Sequence, residues 1–395
     1  MTASQACTAF VSTNSIVQGE SVAIMWKPIF EQGFEISFAY TPFKWRNEAR
    51  GQAAVHCVIV GLARAGVVKS KRLYDQDMVT EAMSINGYLL PAPNVYIQSR
   101  GKPLTVGMPE MSKGSQPTDG GHLILSVDER DALIAQYPQA ERWIKQYISA
   151  EDYINGSWRY CIWLLGVSPK EYRAIKPIMQ RLERVAEMRK ASPTSSVRRD
   201  AEMPMLFTQI RQPQTRYLVV PEVSSERRKY IPIGFMEPEV IASNMVYTIS
   251  DATLYIFGIM VSSVHMAWMR VVCGRLEMRY RYTPAVYNNF PWADATDNQK
   301  ATIEKLAQAV LDARAKFPDS SLADLYDPLT MPPELLKAHQ SLDRAIMKLY
   351  RFKTDMSEPA IVAALMERYQ KLTTPPTLIP EPQKPRKGRK KGGTR

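Results

Sequence analysis

The sequence predicts an α/β protein whose three parts differ in their pattern of apolar residues. Over residues 8–62 the pattern is strand, helix, strand, strand. From about residue 122 to 292, short apolar strands alternate with capped helices, and from Thr296 onward apolar residues recur with the period of a helix. These observations predict part of a sheet, then a mixed α/β domain, then an α-helical C-terminal domain.

In the first part, residues 8–13 are predicted to form a short buried strand and residues 18–31 an amphipathic helix. Residues 34–39 and 53–62 are predicted strands. The second is almost wholly apolar, as expected of a strand covered on both faces of its sheet. Because so short a segment cannot enclose a core alone, we expect it to be the end of a larger sheet.

Residues 66–121 are rich in Gly, Pro, Asn and Ser, which predicts a connecting segment with little regular structure. Beyond it, the short apolar segments YLVV and YIPIG are predicted strands. Two helices are predicted from capping-box spacings, Ser126 with Glu129 and Ser168 with Glu171.

Asp251 is predicted to cap a helix over residues 252–273 that ends at Gly274. This helix would present the segment GRLEMRYRY in a loop or strand, a common place for recognition residues. Further helices are predicted near residues 297–316, 333–350 and 358–371. A Pro-rich and then Lys/Arg-rich tail follows, which is predicted to be disordered.

The formal net charge of +12 favours a polyanionic partner, although the last twelve residues hold seven basic side chains and leave only +5 elsewhere. Four cysteines lie far apart without a C-x-x-C pair, which predicts reduced thiols in the cytoplasm and no metal site. The most apolar run, residues 254–269, is too short and polar to span a membrane comfortably, so a buried helix is predicted.

Residues 270–292, RVVCGRLEMRYRYTPAVYNNFPW, hold four arginines, five aromatic residues and one acid, Glu277. Arginine suits phosphates and guanine edges, a carboxylate can accept from cytosine N4, and aromatic rings can rest on bases. The stretch therefore predicts contact with nucleic acid, with an ordinary charged surface as the alternative.

The same residues carry a resemblance. The runs HMAWMRVVCGRL, RYRY and VYNNFPW resemble the end of the target recognition domain in MmeI-like (type IIL) restriction–modification enzymes. Five more stretches match in the family's order: NSIVQGESVAIMW, FKWRNEARGQAAVHCVIVGL, YINGSWRYCIWL, VSSERRKYIPIGF and LYDPLTMPPELLKAHQSLDRAI. The resemblance covers about residues 5–370. Members of this family join a nuclease, an adenine-N6 methyltransferase and a DNA-reading domain in one chain.

The resemblance also implies a division into domains. It implies the end of a Rossmann-like methyltransferase sheet in residues 1–68, a connector in 69–121, a target recognition domain in 122–292, a helical C-terminal domain in 293–372 and a disordered basic tail in 373–395.

Adenine-N6 methyltransfer needs a Gly-rich turn that holds S-adenosylmethionine and an [Asn/Asp/Ser]-Pro-Pro-aromatic tetrapeptide. The Pro-Pro pairs of this chain, in MPPE and TPPT, lack the flanking residues, and no Gly-rich turn follows an early strand. We therefore expect no complete catalytic set and no cofactor bound by this chain alone, with S-adenosylmethionine bound only in the complete enzyme. The expected partners are double-stranded DNA and an N-terminal methyltransferase fragment, with or without a nuclease, and no membrane.

Two groups of residues match the family's active-site region. Asn14, Ser15 and Gln18 match a polar loop that would face the active-site cleft, with a helix cap at Asn14 or Ser15 as the alternative. Phe43 and Trp45 lie where related enzymes place an aromatic residue that stacks on the flipped-out adenine. Phe43 is the favoured residue, because Trp45 could equally belong to the core.

In the recognition domain, the resemblance implicates Glu277 and Arg279 in reading one base pair, with a surface ion pair as the alternative. Two further groups are predicted to contact the DNA backbone: Arg275, Arg281 and Tyr282, and the cluster of Arg227, Arg228 and Lys229. Packing is the alternative for the first group, and a solvated turn is the alternative for the second.

The leading hypothesis is the DNA-recognition portion of a site-specific adenine-N6 DNA methyltransferase that needs a partner fragment for methylation. The alternatives are a non-catalytic, sequence-specific DNA-binding module, which predicts salt-sensitive duplex binding by this chain alone, and an inactive remnant of a truncated gene.

Overall fold

The computed structural model describes residues 7–45, 55–276 and 279–374, and it begins with a five-stranded sheet. The elements of this part are β1 Thr8–Thr13, α1 Ser21–Glu31, β2 Phe34–Trp45, β3 Val55–Arg64, β4 Lys71–Asp75 and β5 Met78–Ala82. The strand order is β1-β3-β2-β4-β5, with β3 antiparallel to both neighbours and β4 parallel to β2. Val58 and Val60 of β3 are fully buried, as predicted for a covered strand.

The strand predicted at residues 8–13 is confirmed, but its predicted burial is wrong. β1 lies at the edge of the sheet and pairs, within the described residues, with β3 alone. Most of its side chains are exposed, and Val11 keeps 52% of its surface. An apolar strand sequence indicates a covered strand, yet the order of strands places this one where only one side has a neighbour.

The prediction of little regular structure in residues 66–121 is wrong at three places, because β4, β5 and β6 (Met111–Lys113) lie there. The irregular remainder is packed against the core through buried residues such as Ile85, Leu90 and Ile97. The side chain of Asn86 organises it, since its Oδ1 accepts from the backbone N–H groups of Tyr88 and Leu90 at 3.0 and 3.1 Å.

The middle of the chain forms three small sheets among the described residues, with orders β12-β10-β14-β6, β13-β8-β9-β7 and β11-β16-β15. Their strands are β7 Ile124–Leu125, β8 Ile144–Ile148, β9 Arg159–Ile162, β10 Tyr217–Pro221, β11 Val223–Ser224, β12 Gly234–Met236, β13 Ile241–Ala242, β14 Val246–Ser250, β15 Gly274–Leu276 and β16 Arg279–Arg281. The helices are α2 Val127–Gln136, α3 Ala150–Asn155, α4 Pro169–Tyr172, α5 Lys176–Lys190, α6 Ser195–Arg199, α7 Leu254–Met260, α8 Ser263–Val272 and α9 Pro284–Asn288.

Both predicted capping boxes begin a helix, and the Ser126 hydroxyl accepts from the Glu129 N–H at 3.2 Å. YLVV forms the buried strand β10, as predicted. YIPIG does not form a strand before Gly234, because Pro232 has no N–H to give to a neighbouring strand.

The single helix predicted over residues 252–273 is wrong, because α7 and α8 are separate helices that meet at a bend of 59°. The Thr253 and Ser262 side chains cap them by accepting from the N–H groups of Ile256 and His265, both at 3.3 Å. Asp251 is not the cap, since its carboxylate accepts from the Thr215 hydroxyl at 2.9 Å. No single helix in the described part is long and apolar enough to cross a membrane. The bent α7–α8 pair passes that test by length and composition only, and most of its residues are buried.

The C-terminal part is helical, as predicted. Its helices are α10 Asp297–Ala315, α11 Leu322–Leu325, α12 Pro333–Leu349 and α13 Glu358–Thr373. One continuous core joins it to the earlier parts, running from Val58 in the first sheet through Trp268 in α8 to Tyr369 in α13. Of the predicted basic tail, residues 375–395 lie outside the described residues.

Candidate DNA interface

The segment that follows α8 is a two-stranded hairpin, which we call the reading hairpin (β15 and β16). Arg275 lies opposite Tyr280 and Leu276 opposite Arg279, and β16 also pairs with β11. Along β16 the side chains of Arg279 and Arg281 are exposed while Tyr280 is buried. Because alternate residues of a strand share a face, the two arginines lie on one outward face. The other predicted reading residue, Glu277, lies outside the described residues.

The reading hairpin is fixed to the core by Tyr282, which immediately follows it. Tyr282 is fully buried, and its hydroxyl lies 2.9 Å from Nε2 of His265 in α8. Burial lowers the pKa of His265 to about 3, so this pair is uncharged. The burial of Tyr282 contradicts its predicted contact with the DNA backbone and agrees with the alternative that it is a packing residue.

Two buried or half-buried carboxylates hold the arginines of the hairpin in place. The Glu222 side chain is almost fully buried and lies 2.9 Å from Arg281 and 3.2 Å from Lys113. Glu226 lies 2.9 Å from Arg275, whose guanidinium also covers the ring of Tyr280. Half of the Arg281 side chain remains exposed and can meet a phosphate, whereas Arg275 is mostly enclosed.

The basic cluster at residues 227–229 does not act as one surface, because its three side chains go to different places. Arg227 is exposed and lies 3.6 Å from Asp327, before α12. Lys229 lies over the ring of Tyr230 and lines a cavity beside α8 and α12. Arg228 is half-buried and lines a cavity beside Arg279. The structure therefore brings only Arg228 of this cluster next to the reading hairpin.

Phe43 and Trp45 lie near the end of β2, with their ring centroids 6.2 Å apart. Trp45 keeps 50% of its surface, so the alternative that it is a core residue is wrong. Phe43 is half-buried. In the register of the sheet, Phe43 and Thr13 flank Cys57 from opposite sides. The sheet thus brings the aromatic pair and the loop after β1 to the same end.

That loop contains Asn14, Ser15 and Gln18, and it begins with a turn of 3-10 helix. The N-cap residues here are Thr13 and Glu20, so the capping alternative for Asn14 or Ser15 is wrong. Ser15 pairs with the Thr13 hydroxyl at 2.8 Å. Asn14 is buried, and its Nδ2 has no hydrogen-bond partner among the described residues. An orphaned donor of this kind is what a site completed by another molecule would show.

The loop after β1 also touches the recognition domain. Gly19 has a positive φ of 55°, and a Cβ on it would lie 3.3 Å from the carbonyl oxygen of Val272, the last residue of α8. A cavity of about 680 Å³ lies between residues 18–21, at the end of this loop, and Arg100, Asn288 and residues 283–285. The predicted cleft loop and the base of the reading hairpin are therefore neighbours.

Sequence reasoning missed the acidic partners of the hairpin, Glu222 and Glu226, which lie 59 and 49 residues before the arginines that they pair with. In the sequence these two glutamates are marked only by their position next to a buried strand and a basic run. In residues 7–45, 55–276 and 279–374, no group of three or more His, Cys, Asp or Glu side chains could hold a metal ion.

Comparison with known proteins covers the same three parts. Models of the MmeI DNA-methyltransferase domain, target recognition domain and C-terminal domain match residues 1–75, 91–294 and 295–378. The chain is 37% identical over 366 residues to DNA methyltransferase A of Bacillus subtilis (strain 168), covering 92% of this chain and 41% of that protein.

A solved structure of the type IIL restriction-modification enzyme MmeI in complex with DNA is similar to this fold at a TM-score of 0.86 and 43% identity. The match covers 93% of this chain and 50% of the MmeI chain, so the chain spans half or less of the length of these relatives. The predicted family and fold class are confirmed. Because the target recognition domain model alone matches more than half of it, the chain belongs to the MmeI family of restriction–modification proteins.

Proposed function

We propose that this chain is the DNA-recognition portion of a site-specific adenine-N6 DNA methyltransferase of the restriction–modification type. The observation that carries the proposal is the reading hairpin, which presents Arg279 and Arg281 on one outward face above a buried Tyr282. An exposed arginine side chain can donate two hydrogen bonds to guanine or to a phosphate. The similarity to MmeI solved with DNA supports double-stranded DNA as the partner.

We also propose that methyl transfer needs a second polypeptide, which completes the first sheet. Its sequence would supply the cofactor turn and the Pro-Pro-aromatic tetrapeptide. The outer edge of β1 supports this proposal, since its N–H and C=O groups have no strand to pair with among the described residues. The unpartnered Nδ2 of Asn14, at the end of β1, supports it as well.

The described residues do not fit S-adenosylmethionine. The positive-φ glycines of the first part, Gly19, Gly33 and Gly66, are isolated. A Cβ on Gly33 or Gly66 would meet nothing within 4 Å, and one on Gly19 would meet α8 rather than a ligand space. The cofactor therefore belongs to the proposed partner. The part of this chain in the reaction is to hold the DNA and, through Phe43, to stack on the target adenine.

Reconstitution tests this function. The purified chain is mixed with a methyltransferase fragment from an MmeI-like protein that carries the missing motifs, and methyl transfer from labelled S-adenosylmethionine to duplex DNA is measured. We expect transfer to adenine by the mixture and none by either polypeptide alone. A control fragment with its Pro-Pro-aromatic tetrapeptide changed to alanines should assemble without transferring. An assembled one-to-one complex that binds cofactor and DNA but transfers nothing would contradict the proposal.

A second candidate function is a DNA-binding module that acts without a catalytic partner. One observation favours it: Tyr280 of the reading hairpin belongs to the same core as α8 and the C-terminal helices, whereas most side chains of β1 are exposed. This function predicts tight, salt-sensitive binding of duplex DNA by the chain alone. Binding that becomes specific only after the methyltransferase fragment is added would exclude it.

A further inference from the structure

A cavity of about 540 Å³ lies beside the reading hairpin, on the side of α3. One wall is the α3 segment with Arg159, and the other is formed by Ser224, Ser225 and Arg228, with Arg279 of the hairpin at its border. The inference that follows rests on the proposed function, because it concerns how duplex DNA is held next to the hairpin.

Arg228 is the unusual member of this cavity. Its Nε is buried and has no hydrogen-bond partner among the described residues. Within the described part of the chain its side chain donates one hydrogen bond, a long one of 3.4 Å from Nη1 to the Ser224 hydroxyl. Burial lowers the pKa of Arg228, although an arginine stays charged at any physiological pH. A half-buried guanidinium without a close anion has lost part of its hydration, so the site favours an anionic ligand.

The neighbouring charges do not neutralise Arg228. The carboxylate of Asp152 is held by Arg159, with oxygen–nitrogen distances of 2.6 to 3.1 Å. Asp327 lies 3.6 Å from Arg227, and its charge also raises the pKa of Arg228, although burial outweighs this effect. Glu151 also lines the cavity, but it is an exposed residue of α3. Among the described residues, no carboxylate therefore pairs with Arg228 within 4 Å.

Two hydroxyl groups line the same cavity as this guanidinium, those of Ser224 and Ser225. The Ser225 oxygen accepts from the Arg227 N–H at 3.3 Å, and the Ser224 oxygen receives the bond from Arg228, so both hydroxyl hydrogens are free to point into the cavity. A fork of N–H donors flanked by hydroxyls matches the three acceptor directions of a phosphate. A carboxylate ligand would use the fork but leave the hydroxyls without acceptors.

We propose that this cavity binds one phosphate of the DNA backbone, with Arg228 as its charged ligand and Ser224 and Ser225 as hydroxyl donors. The phosphate lies next to the base pair that the reading hairpin contacts, because Arg279 borders the same cavity. Such a contact fixes the register of the protein on the duplex and carries no sequence information itself. Arg228 alone then makes the phosphate contact that the sequence predicts for Arg227, Arg228 and Lys229 together.

The test compares the full chain with its Arg228→Gln variant in duplex binding between 50 and 500 mM salt. Losing one phosphate contact should flatten the plot of log affinity against log salt by about 0.9. The ratio of wild-type to variant affinity should then shrink about eightfold over that tenfold range of salt. Arg344→Gln, which changes an exposed arginine of α12, is the matched control and should keep the wild-type slope. The basic tail is present in all three proteins, so its contribution cancels.

A second measurement separates binding from folding and duplex phosphate from free phosphate. Without DNA, Arg228→Gln should melt at the wild-type temperature or above, because the change removes a half-buried charge that has no close anion. A clearly lower melting temperature would overturn the proposal in favour of a structural role. Equal salt slopes for wild type and variant would also overturn it, even if inorganic phosphate raised the melting temperature of the wild type alone. If the wild-type chain does not bind duplex alone, the same salt series is run with the methyltransferase fragment present, and failure to bind duplex at any salt with the fragment would instead refute the proposed function itself.

Discussion

At the scale of single residues, burial decides which polar groups of this protein keep a charge. His265 is enclosed between Tyr282 and Phe290, and His339 of α12 is stacked on Tyr230 and bonded to the Tyr326 hydroxyl at 2.8 Å. Burial lowers the pKa of His265 to about 3 and that of His339 well below its ordinary value. Both histidines are therefore neutral parts of the core rather than ligands or bases.

This burial makes stability depend on pH. Above pH 6.5 both histidines are neutral in the folded and unfolded chain, and below it only the unfolded chain takes up protons. The free energy of unfolding should therefore fall by about 1.4 kcal/mol per pH unit for each histidine between pH 6.5 and the lowered pKa. In urea unfolding, the stability difference between wild type and His265→Gln should change by about 2 kcal/mol in favour of the variant from pH 7 to pH 5. An equal change of the free energy of unfolding with pH in the two proteins would contradict the assignment of His265 as a neutral buried residue. The raised pKa of Asp343 acts equally on both and cancels.

The aromatic residues of β2 give a second prediction at this scale. If Phe43 stacks on the extruded adenine, Phe43→Ala should lower single-turnover methyl transfer by the reconstituted enzyme by roughly 5- to 150-fold, the range expected for one base–aromatic contact. Duplex binding by the chain alone should stay unchanged. Trp45→Ala, at the more exposed ring two residues away, is the matched control and should lose less. Equal losses in both variants would remove Phe43 from this role.

At the scale of elements, the position of the reading hairpin is fixed by the buried side chains and the helix beneath it. Residues Tyr280 and Tyr282 are buried, Glu222 holds Arg281, and α8 leads directly into β15. The hairpin is thus a short exposed edge on a rigid base. Arg281 belongs to that base through Glu222, so a change there alters how the hairpin is held as well as what it contacts.

The Glu277→Lys and Arg279→Asp exchange tests this arrangement. In the reconstituted enzyme it should change the preference at one base pair while the overall affinity for DNA stays similar, because one donor–acceptor pattern replaces another. Methylation of a library of duplexes, read by sequencing, measures the preference. The control is the same exchange in Glu237 and Arg216, an exposed ion pair of the recognition domain at 3.3 Å. An unchanged preference would show that the hairpin does not read that base pair.

The helices and strands also show which features of the fold could be predicted from the sequence. Local signals were sufficient for β3, for the helix after Ser126 and for the helices after Thr296, because capping and apolar periodicity act within a few residues. The break between α7 and α8 was missed, since an apolar run hides two capping side chains, Thr253 and Ser262. The pairing of Arg275 with Glu226 and the separate surroundings of Arg227, Arg228 and Lys229 depend on tertiary contacts, which one sequence does not contain.

At the scale of the whole molecule, the recognition part and the C-terminal helices share one core. Gly258 of α7 lies against α10, where a Cβ would come within 3.0 Å of Ile303 and 3.1 Å of Ala307. Arg314 of α10 donates to the Ile233 carbonyl oxygen at 2.6 Å, and Trp268 packs against Tyr369. The target recognition part and the C-terminal part have separate names in this family, yet here each depends on the other to bury its apolar residues.

This dependence predicts one shared unfolding transition for the two parts. Gly258→Val should overpack the α7–α10 contact and destabilise by about 1–3 kcal/mol, moving the transition without splitting it. Tryptophan fluorescence and far-UV circular dichroism should report the same midpoint in both proteins. Gly101→Ala, at a glycine where an added Cβ meets nothing within 4 Å, is the control and should leave the midpoint unchanged. Two separated transitions in the Gly258 variant would contradict a shared core.

The carboxylate of Glu222 limits how the specificity of this protein can be redesigned. It is enclosed under the hairpin and receives both Arg281 and Lys113, while its backbone N–H and C=O bond to Met245 and Tyr282. Replacing Arg281 by a neutral residue would leave the buried Glu222 carboxylate with one cation instead of two. Removing a partner from a buried charge costs more free energy than a surface contact contributes. A change at position 281 therefore requires a cation there or a simultaneous change of Glu222 to glutamine, so the two positions should be randomised as a pair.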